Sequence, residues 1–216
     1  EGRRLAGQYF SVTPAAKSAL SVHGYSEQNQ RCRYSENPAL PGKYEKEASQ
    51  AMENYTLSSR QIPLCGEYDV IVVGGGPAGC AAAISASRAG KKVLLIEDSG
   101  MLGGAGTRGL VSAWTPFSDG VRALYAGLAH EVFRRTLAAT PYLDPKSIDW
   151  VPIDPEALKT TYDEMTAEAG VTVLFHTRLA AVETEDGRVK ALICANKTGL
   201  CAFTAPMYVD CTGDAD

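Results

Sequence analysis

From Tyr68 onward the chain alternates short apolar runs with glycine-bearing turns. Tyr68-Asp69-Val70-Ile71-Val72-Val73 is rich in β-branched residues and predicts a buried strand. An alanine-rich segment reaching Ala89 predicts a helix that Gly90-Lys91-Lys92 closes, and Val93-Leu94-Leu95-Ile96 predicts a second strand. Val121 to Ala138 carries Leu124, Leu128, Val132 and Leu137 at helical spacing. Asp154-Pro155-Glu156-Ala157 is a cap followed by a proline, the start of a helix that turns Leu158, Tyr162 and Met165 inward and stops at Gly170. Val171 to Phe175 reads as a core strand. Leu179 to Glu185, Val189 to Cys194 and Leu200 to Ala205 read as a meander, turning at Asp186-Gly187 and over the four residues Asn196 to Gly199. Met207 to Asp210 reads as a last buried strand.

Residues 1–66 carry a weaker pattern. Pro14 to Leu20, with Thr13 as a cap, and Tyr44 to Leu57 suggest helices, and Gly24 to Gly42 reads as exposed loop. His23 reads as a surface histidine, and Ser58 to Gly66 as an extended lead-in to the first strand. This region is expected to be an arm or part of a preceding domain, and residues 67–216 a nucleotide-binding domain. Its aromatic residues, Tyr9, Phe10, Tyr25, Tyr34, Tyr44 and Tyr55, suggest that it packs on something.

The turn between the first strand and the helix is Gly74-x-Gly76-x-x-Gly79, with Pro77 and Ala78 inside it. Glu97, at the end of the second strand, lies 18 positions beyond Gly79. Strand, glycine turn, helix, strand and terminal carboxylate in this order form a dinucleotide-binding fingerprint in its required context. Gly74 permits the tight turn, Gly76 lets backbone approach a pyrophosphate, and Gly79 lets the helix lie on the strand. The helix N-terminus offers N–H groups and a positive dipole to the phosphates, and Glu97 is placed to accept from the ribose hydroxyls. Replacing Glu97 is expected to weaken binding with little effect on the empty protein. Asp98 follows, and then five glycines among residues 98–110 hold backbone close to something flat or charged. Arg108, in that stretch, either neutralises a pyrophosphate or another negatively charged cofactor group, or is a solvated arginine at a turn.

Composition narrows the class. Hydrophobic residues make up 45% and charged residues 21%, as in a soluble globular protein. No apolar run approaches the ~18 residues of a membrane-spanning helix. Residues 1–66 hold eight Lys/Arg against six Glu, and the remainder thirteen against nineteen acidic residues. No basic cluster interleaves with aromatics, which argues against nucleic acid as a partner. The six cysteines form no CxxC, so no iron–sulfur, zinc or flavin-adjacent disulfide motif is legible. Cys80 and Cys211 read as buried thiols. Cys194 and Cys201 should face each other across a hairpin, as free neighbours rather than a disulfide. His130 and His176 read as structural, and no hydrolase or metalloenzyme motif is present.

The segments VIVVGGGPAGCAAAISASRAG, LLIEDSGMLGGAGTRGLV, ALKTTYDEMTAEAGVTVLFHTRLAAVETEDGRVKALI and MYVDCTGDAD resemble FAD-dependent oxidoreductases of the glutathione-reductase-like superfamily. Within it, they are most similar to the flavin subunit of heterodisulfide reductase and, more distantly, to fumarate reductase flavoproteins. The resemblance covers roughly Glu67 to Asp216. It implies an α/β, Rossmann-like FAD-binding domain, a βαβ unit with an inserted β-meander, that continues beyond Asp216. It further implies that Gly103-Gly104-Ala105-Gly106-Thr107 passes the pyrophosphate and flavin. The backbone at Leu179 to Val182, Ala181 above all, would pass the adenine, and Thr212-Gly213-Asp214 would return beside the dinucleotide. The implied partners are a small-molecule substrate and the remaining C-terminal part of the same protein, which would cover the apolar face of Val70, Val72, Val93, Leu95 and Val209. The iron–sulfur cysteines of many such relatives are missing. Two other readings stay open, a flavin-holding electron-transfer or structural subunit and an NAD(P)-binding reductase.

Overall fold

The computed structural model describes residues 55–114 and 118–213. The helix expected at Pro14 to Leu20, His23, Asp214 and all of the Tyr44 to Leu57 helix but its last three residues lie outside the described residues; Tyr55, Thr56 and Leu57 are not helical. Residues 60–216 form one compact unit. Its strands are β1 (Leu64–Glu67), β2 (Val70–Val73), β3 (Val93–Ile96), β4 (Ala113–Trp114), β5 (Val151–Pro152), β6 (Thr172–Leu174), β7 (Arg178–Glu185), β8 (Arg188–Asn196), β9 (Gly199–Thr204) and β10 (Met207–Asp210). Its helices are α1 (Pro77–Arg88), α2 (Leu128–Ala138) and α3 (Pro155–Ala169).

A parallel sheet in the order β10-β2-β3-β6 forms the central layer. Side chains alternate across a strand, and here both faces are apolar. Val72, Val93 and Leu95 pack with Cys80, Ala83, Ile84, Val132, Leu158, Tyr162 and Met165 of the three helices. Ile71, Val73, Leu94 and Ile96 point the other way, onto Leu192, Cys194, Cys201 and Phe203 of the second sheet. That sheet, ordered β1-β9-β8-β7, is the expected meander plus β1. The lead-in at Leu64–Glu67 is thus an edge strand, parallel to β9. The fold is α/β and Rossmann-like, as the pattern indicates.

Several expectations are corrected. Of the face formed by Val70, Val72, Val93, Leu95 and Val209, the helices bury Val72, Val93 and Leu95, while Val70 and Val209 are half-buried. The helix expected from Val121 begins at Leu128, since Gly120 and Gly127 take positive φ and Ser118 bridges Ala123. Leu124, assigned to its stripe, is 57% exposed. The β8–β9 loop has two residues, not four, because Asn196 pairs with Gly199 and Asn196 Oδ1 accepts from the Thr198 N–H at 2.9 Å and hydroxyl at 2.6 Å. β10 is an edge strand of mixed burial with Met207 exposed, and Cys211 is half-buried. The turn at Asp186-Gly187 and the helix over Pro155–Ala169 stand as expected, the latter ended by Gly170 in the left-handed region.

Candidate functional site

Four backbone segments meet at the C-terminal ends of β2 and β3. β2 runs straight into Gly74, whose N–H donates to the Ile96 carbonyl at 2.8 Å. Gly74 has φ +98°, and a Cβ there would overlap the Cys211 carbonyl. A Cβ on Gly79 would overlap the Gly74 carbonyl oxygen. These two positions let α1 and the chain after β10 close on the turn. The Cys211 N–H completes the junction by donating to the Val73 carbonyl at 2.7 Å.

Glu97 stands at the centre of the second contact. The residue is 9% exposed. Oε2 accepts from the Gly75 N–H at 2.6 Å, and Oε1 accepts from the Ser99 N–H at 2.8 Å and hydroxyl at 2.6 Å. The backbone of Glu97 accepts from Thr177 N–H at 3.0 Å, so the start of β7 arrives here as well. Asp98 receives Arg108 at 2.9 Å and Arg178 at 3.1 Å, tying the glycine-rich loop and β7 to the end of β3. Arg108 therefore sits as a paired, largely exposed arginine.

The loop Gly103–Thr107 is pinned to the turn by Gly103 N–H donating to Gly75 carbonyl at 2.8 Å. Gly104 abuts Gly76, since a Cβ on it would come within 2.9 Å of Gly76 Cα. Thr107 is 2% exposed and gives its hydroxyl to the Leu102 carbonyl at 2.7 Å, bracing the loop from within. Thr212 N–H and hydroxyl both bond Asp210 Oδ1, at 2.9 and 2.7 Å, which shapes the approach of Gly213.

Gly76, Pro77 and Ala78 open α1. No side chain caps this helix, whereas Asp154 caps α3 through the N–H groups of Glu156 and Ala157. A Cβ on Gly76 would meet nothing within 4 Å, so the space beside the uncapped helix start is open. That is the fit a dinucleotide needs: free N–H donors, a positive helix end and backbone with no side chain in the way. A cavity of about 210 Å³ adjoins, lined by Pro77, Gly103, Gly106, Trp114 and Tyr162 among others. A smaller one of about 130 Å³ shares Pro77, Trp114 and Tyr162 and runs along α2 past Leu128 and Val132. Burial pushes the Cys80 thiol up to about 12, and it donates to the Gly75 carbonyl at 3.2 Å rather than acting as a nucleophile. Burial likewise raises the Tyr162 phenol.

The fold thus gathers Gly74, Gly76, Pro77, Ala78, Gly79, Glu97, Gly103, Gly104 and Gly213 into one region. Ala181 is exposed on β7 and takes no part in these contacts; Thr177 and Arg178, about 10 Å back along the strand at ~3.3 Å per residue, are the β7 positions beside Glu97 and Asp98. Gly75, Ser99 and Arg178 escaped the sequence reading. The serine two places after Glu97 was the available signal, whereas nothing local marked Arg178, whose partner is 80 positions away.

A family model described as FAD dependent oxidoreductase matches residues 69–216. Urocanate reductase of Eggerthella lenta is 35% identical over 95 residues, covering 42% of this chain and 14% of that protein. Dihydrolipoyl dehydrogenase of Trypanosoma brucei brucei is 51% identical over 45 residues, covering 21% of this chain and 9% of that protein. The chain matches between 6% and 14% of the length of such curated relatives. Among solved structures, THI4 of Thermovibrio ammonificans aligns with a TM-score of 0.48 and 21% identity, over 68% of this chain and 58% of that one. The relatives span several flavoprotein families and do not single out the heterodisulfide-reductase type. With the cradle at Gly76 open to a dinucleotide and most of the chain matched, the chain belongs to the FAD-dependent oxidoreductase family, and FAD is its cofactor.

Proposed function

We propose that this chain holds FAD through Gly74–Gly79, Glu97, the Gly103–Thr107 loop and Thr212–Gly213, in an enzyme acting on a small-molecule substrate. The uncapped start of α1 beside the open face of Gly76 carries this reading. The pyrophosphate belongs at the Ala78 and Gly79 N–H groups, where the helix presents roughly half a positive charge. Glu97 has about four lone-pair positions. Gly75 and Ser99 occupy three of them, which leaves one on Oε2 for a ribose hydroxyl. Asp98 and Arg108 act one step back, holding the loop through their ion pair. Adenine contact at Ala181 and a role for Asp214 rest on the motif resemblance alone, as does a place near the heterodisulfide-reductase flavin subunits.

Bound FAD supplies the two-electron carrier. The chain supplies position and dryness: Pro77, Trp114 and Tyr162 wall both cavities, and the smaller is lined almost wholly by apolar side chains. Purified protein should be yellow and release FAD, identified by mass, when denatured. Folded protein that is colourless and takes up no added FAD would overturn the proposal.

A further inference from the structure

Tyr162 stands in the wall of both cavities beside the cradle. Helix α3 carries it inward, where the residue is 5% exposed. Its ring lies against the glycine-rich loop, since a Cβ on Gly103 would come within 3.2 Å of Tyr162 Cδ2. A buried phenol ordinarily finds a hydrogen-bond partner, but this hydroxyl has none among the described residues. No sealed side-chain oxygen or nitrogen among those residues lacks a partner. The Tyr162 hydroxyl therefore reaches open space, and the two cavities are the open space that Tyr162 lines.

Size and wall chemistry narrow what fits. The smaller cavity, about 130 Å³, has Ala81 of α1 and Leu128, Ala129 and Val132 of α2 in its wall, with Trp114 and Tyr162. Apolar cavities of about 150 Å³ take up benzene, so the space suits a single ring. Trp114 stands edge-on to Phe133, with ring centroids 5.6 Å apart at 89°, and with Tyr162 it gives that ring an aromatic wall. Among the described residues no charged side chain lines either cavity. A carboxylate or ammonium there would lose its hydration with nothing to replace it. Burial raises the Tyr162 phenol, which keeps it an O–H donor at neutral pH.

We propose that this cavity binds a neutral, single-ring aromatic ketone or aldehyde, its ring against Trp114 and α2 and its carbonyl oxygen accepting from the Tyr162 hydroxyl. With FAD in the cradle at Gly76, the reading on which this inference rests, the ring lies beside the cofactor. Pro77 sets that proximity, because it opens α1 at the cradle and also lines both cavities. Apolar contact holds the ring, and the one hydroxyl selects for an acceptor and fixes which way the ring faces.

The test titrates the FAD-loaded full chain with acetophenone by ligand-detected NMR, beside ethylbenzene, which lacks the oxygen, and benzoate, which is charged. Acetophenone should bind with a Kd below about 1 mM and more tightly than ethylbenzene, and benzoate should not bind. Tyr162→Phe keeps the ring and breaks no side-chain hydrogen bond, so it folds as the wild type does. It should weaken acetophenone by about 3- to 10-fold and leave ethylbenzene unchanged. Ala129→Leu, at an exposed position of α2 that walls the cavity, should weaken both aromatic compounds at least about tenfold. Equal acetophenone affinity in wild type and Tyr162→Phe, tighter binding of benzoate, or displacement of FAD by acetophenone would each overturn the proposal. Protein that takes up FAD but not acetophenone overturns this inference alone, whereas protein that takes up no FAD overturns the flavin reading with it.

Discussion

Beside the ribose contact proposed for it, Glu97 has a second job that its place in the sequence does not announce. A carboxylate at the end of β3 announces ribose binding by position, 18 residues past Gly79. Its bonds to Gly75 and Ser99 show that the same group also braces the empty turn. Glu97→Gln replaces one acceptor oxygen by an amide that must face an N–H or hydroxyl donor. Charge-assisted bonds are worth roughly 1.5–3 kcal/mol. FAD affinity should therefore fall by about 10- to 100-fold, measured by calorimetric titration. Unlike a residue that met only the ligand, Glu97 should also lower the melting temperature of the flavin-free protein when replaced. An unchanged melt would mean that the brace contributes nothing. Such a double role is invisible in one dimension, because Ser99 and Gly75 carry no signal until the turn has folded around the carboxylate.

At the scale of elements, α1 and α3 start in opposite ways for different ends. α3 is capped by Asp154, a start legible in Asp154-Pro155-Glu156. The hydrogen bond from the Tyr142 hydroxyl, with the Ala157 and Glu156 N–H groups, holds Asp154 below its ordinary 3.8. A depressed carboxyl contributes stability that is present above its unfolded pKa and lost as pH falls through the lower folded one. Asp154→Asn keeps a capping oxygen but does not titrate. Thermal melts at descending pH should show the wild type losing its advantage over Asp154→Asn below about pH 3.8. Parallel pH profiles for the two would contradict this. Helix α2 was misplaced at its start because apolar spacing continues through Leu124 while Gly127 breaks the backbone. Periodicity reports which residues are apolar, and only backbone freedom decides where the helix begins.

Across the whole molecule, the central sheet is held between helices and meander, and its β2 and β3 side chains divide between the two by alternation. That division was legible in VIVV and VLLI as runs apolar at every position, the mark of a sheet buried on both faces. What covers each face was not legible, because α2 and α3 reach the sheet from 30 to 70 residues downstream in an order that no local pattern encodes. Phe203, 3% exposed, is the largest meander side chain on the far face. Phe203→Ala should cost about 3–5 kcal/mol, a large part of a domain's roughly 5–15 kcal/mol, and a chemical denaturation curve will show it. A loss under about 1 kcal/mol would mean that the two sheets do not share a core. In the function proposed, FAD lies across the bare face of Gly76. Titration of FAD into the flavin-free wild-type and Gly76→Val proteins, beside their thermal melts, tests it most directly. The space at Gly76 is open in the protein alone, so the melts should agree while FAD affinity falls at least about 100-fold, the equivalent of roughly 2.7 kcal/mol. Equal affinity in the two proteins would contradict the claim.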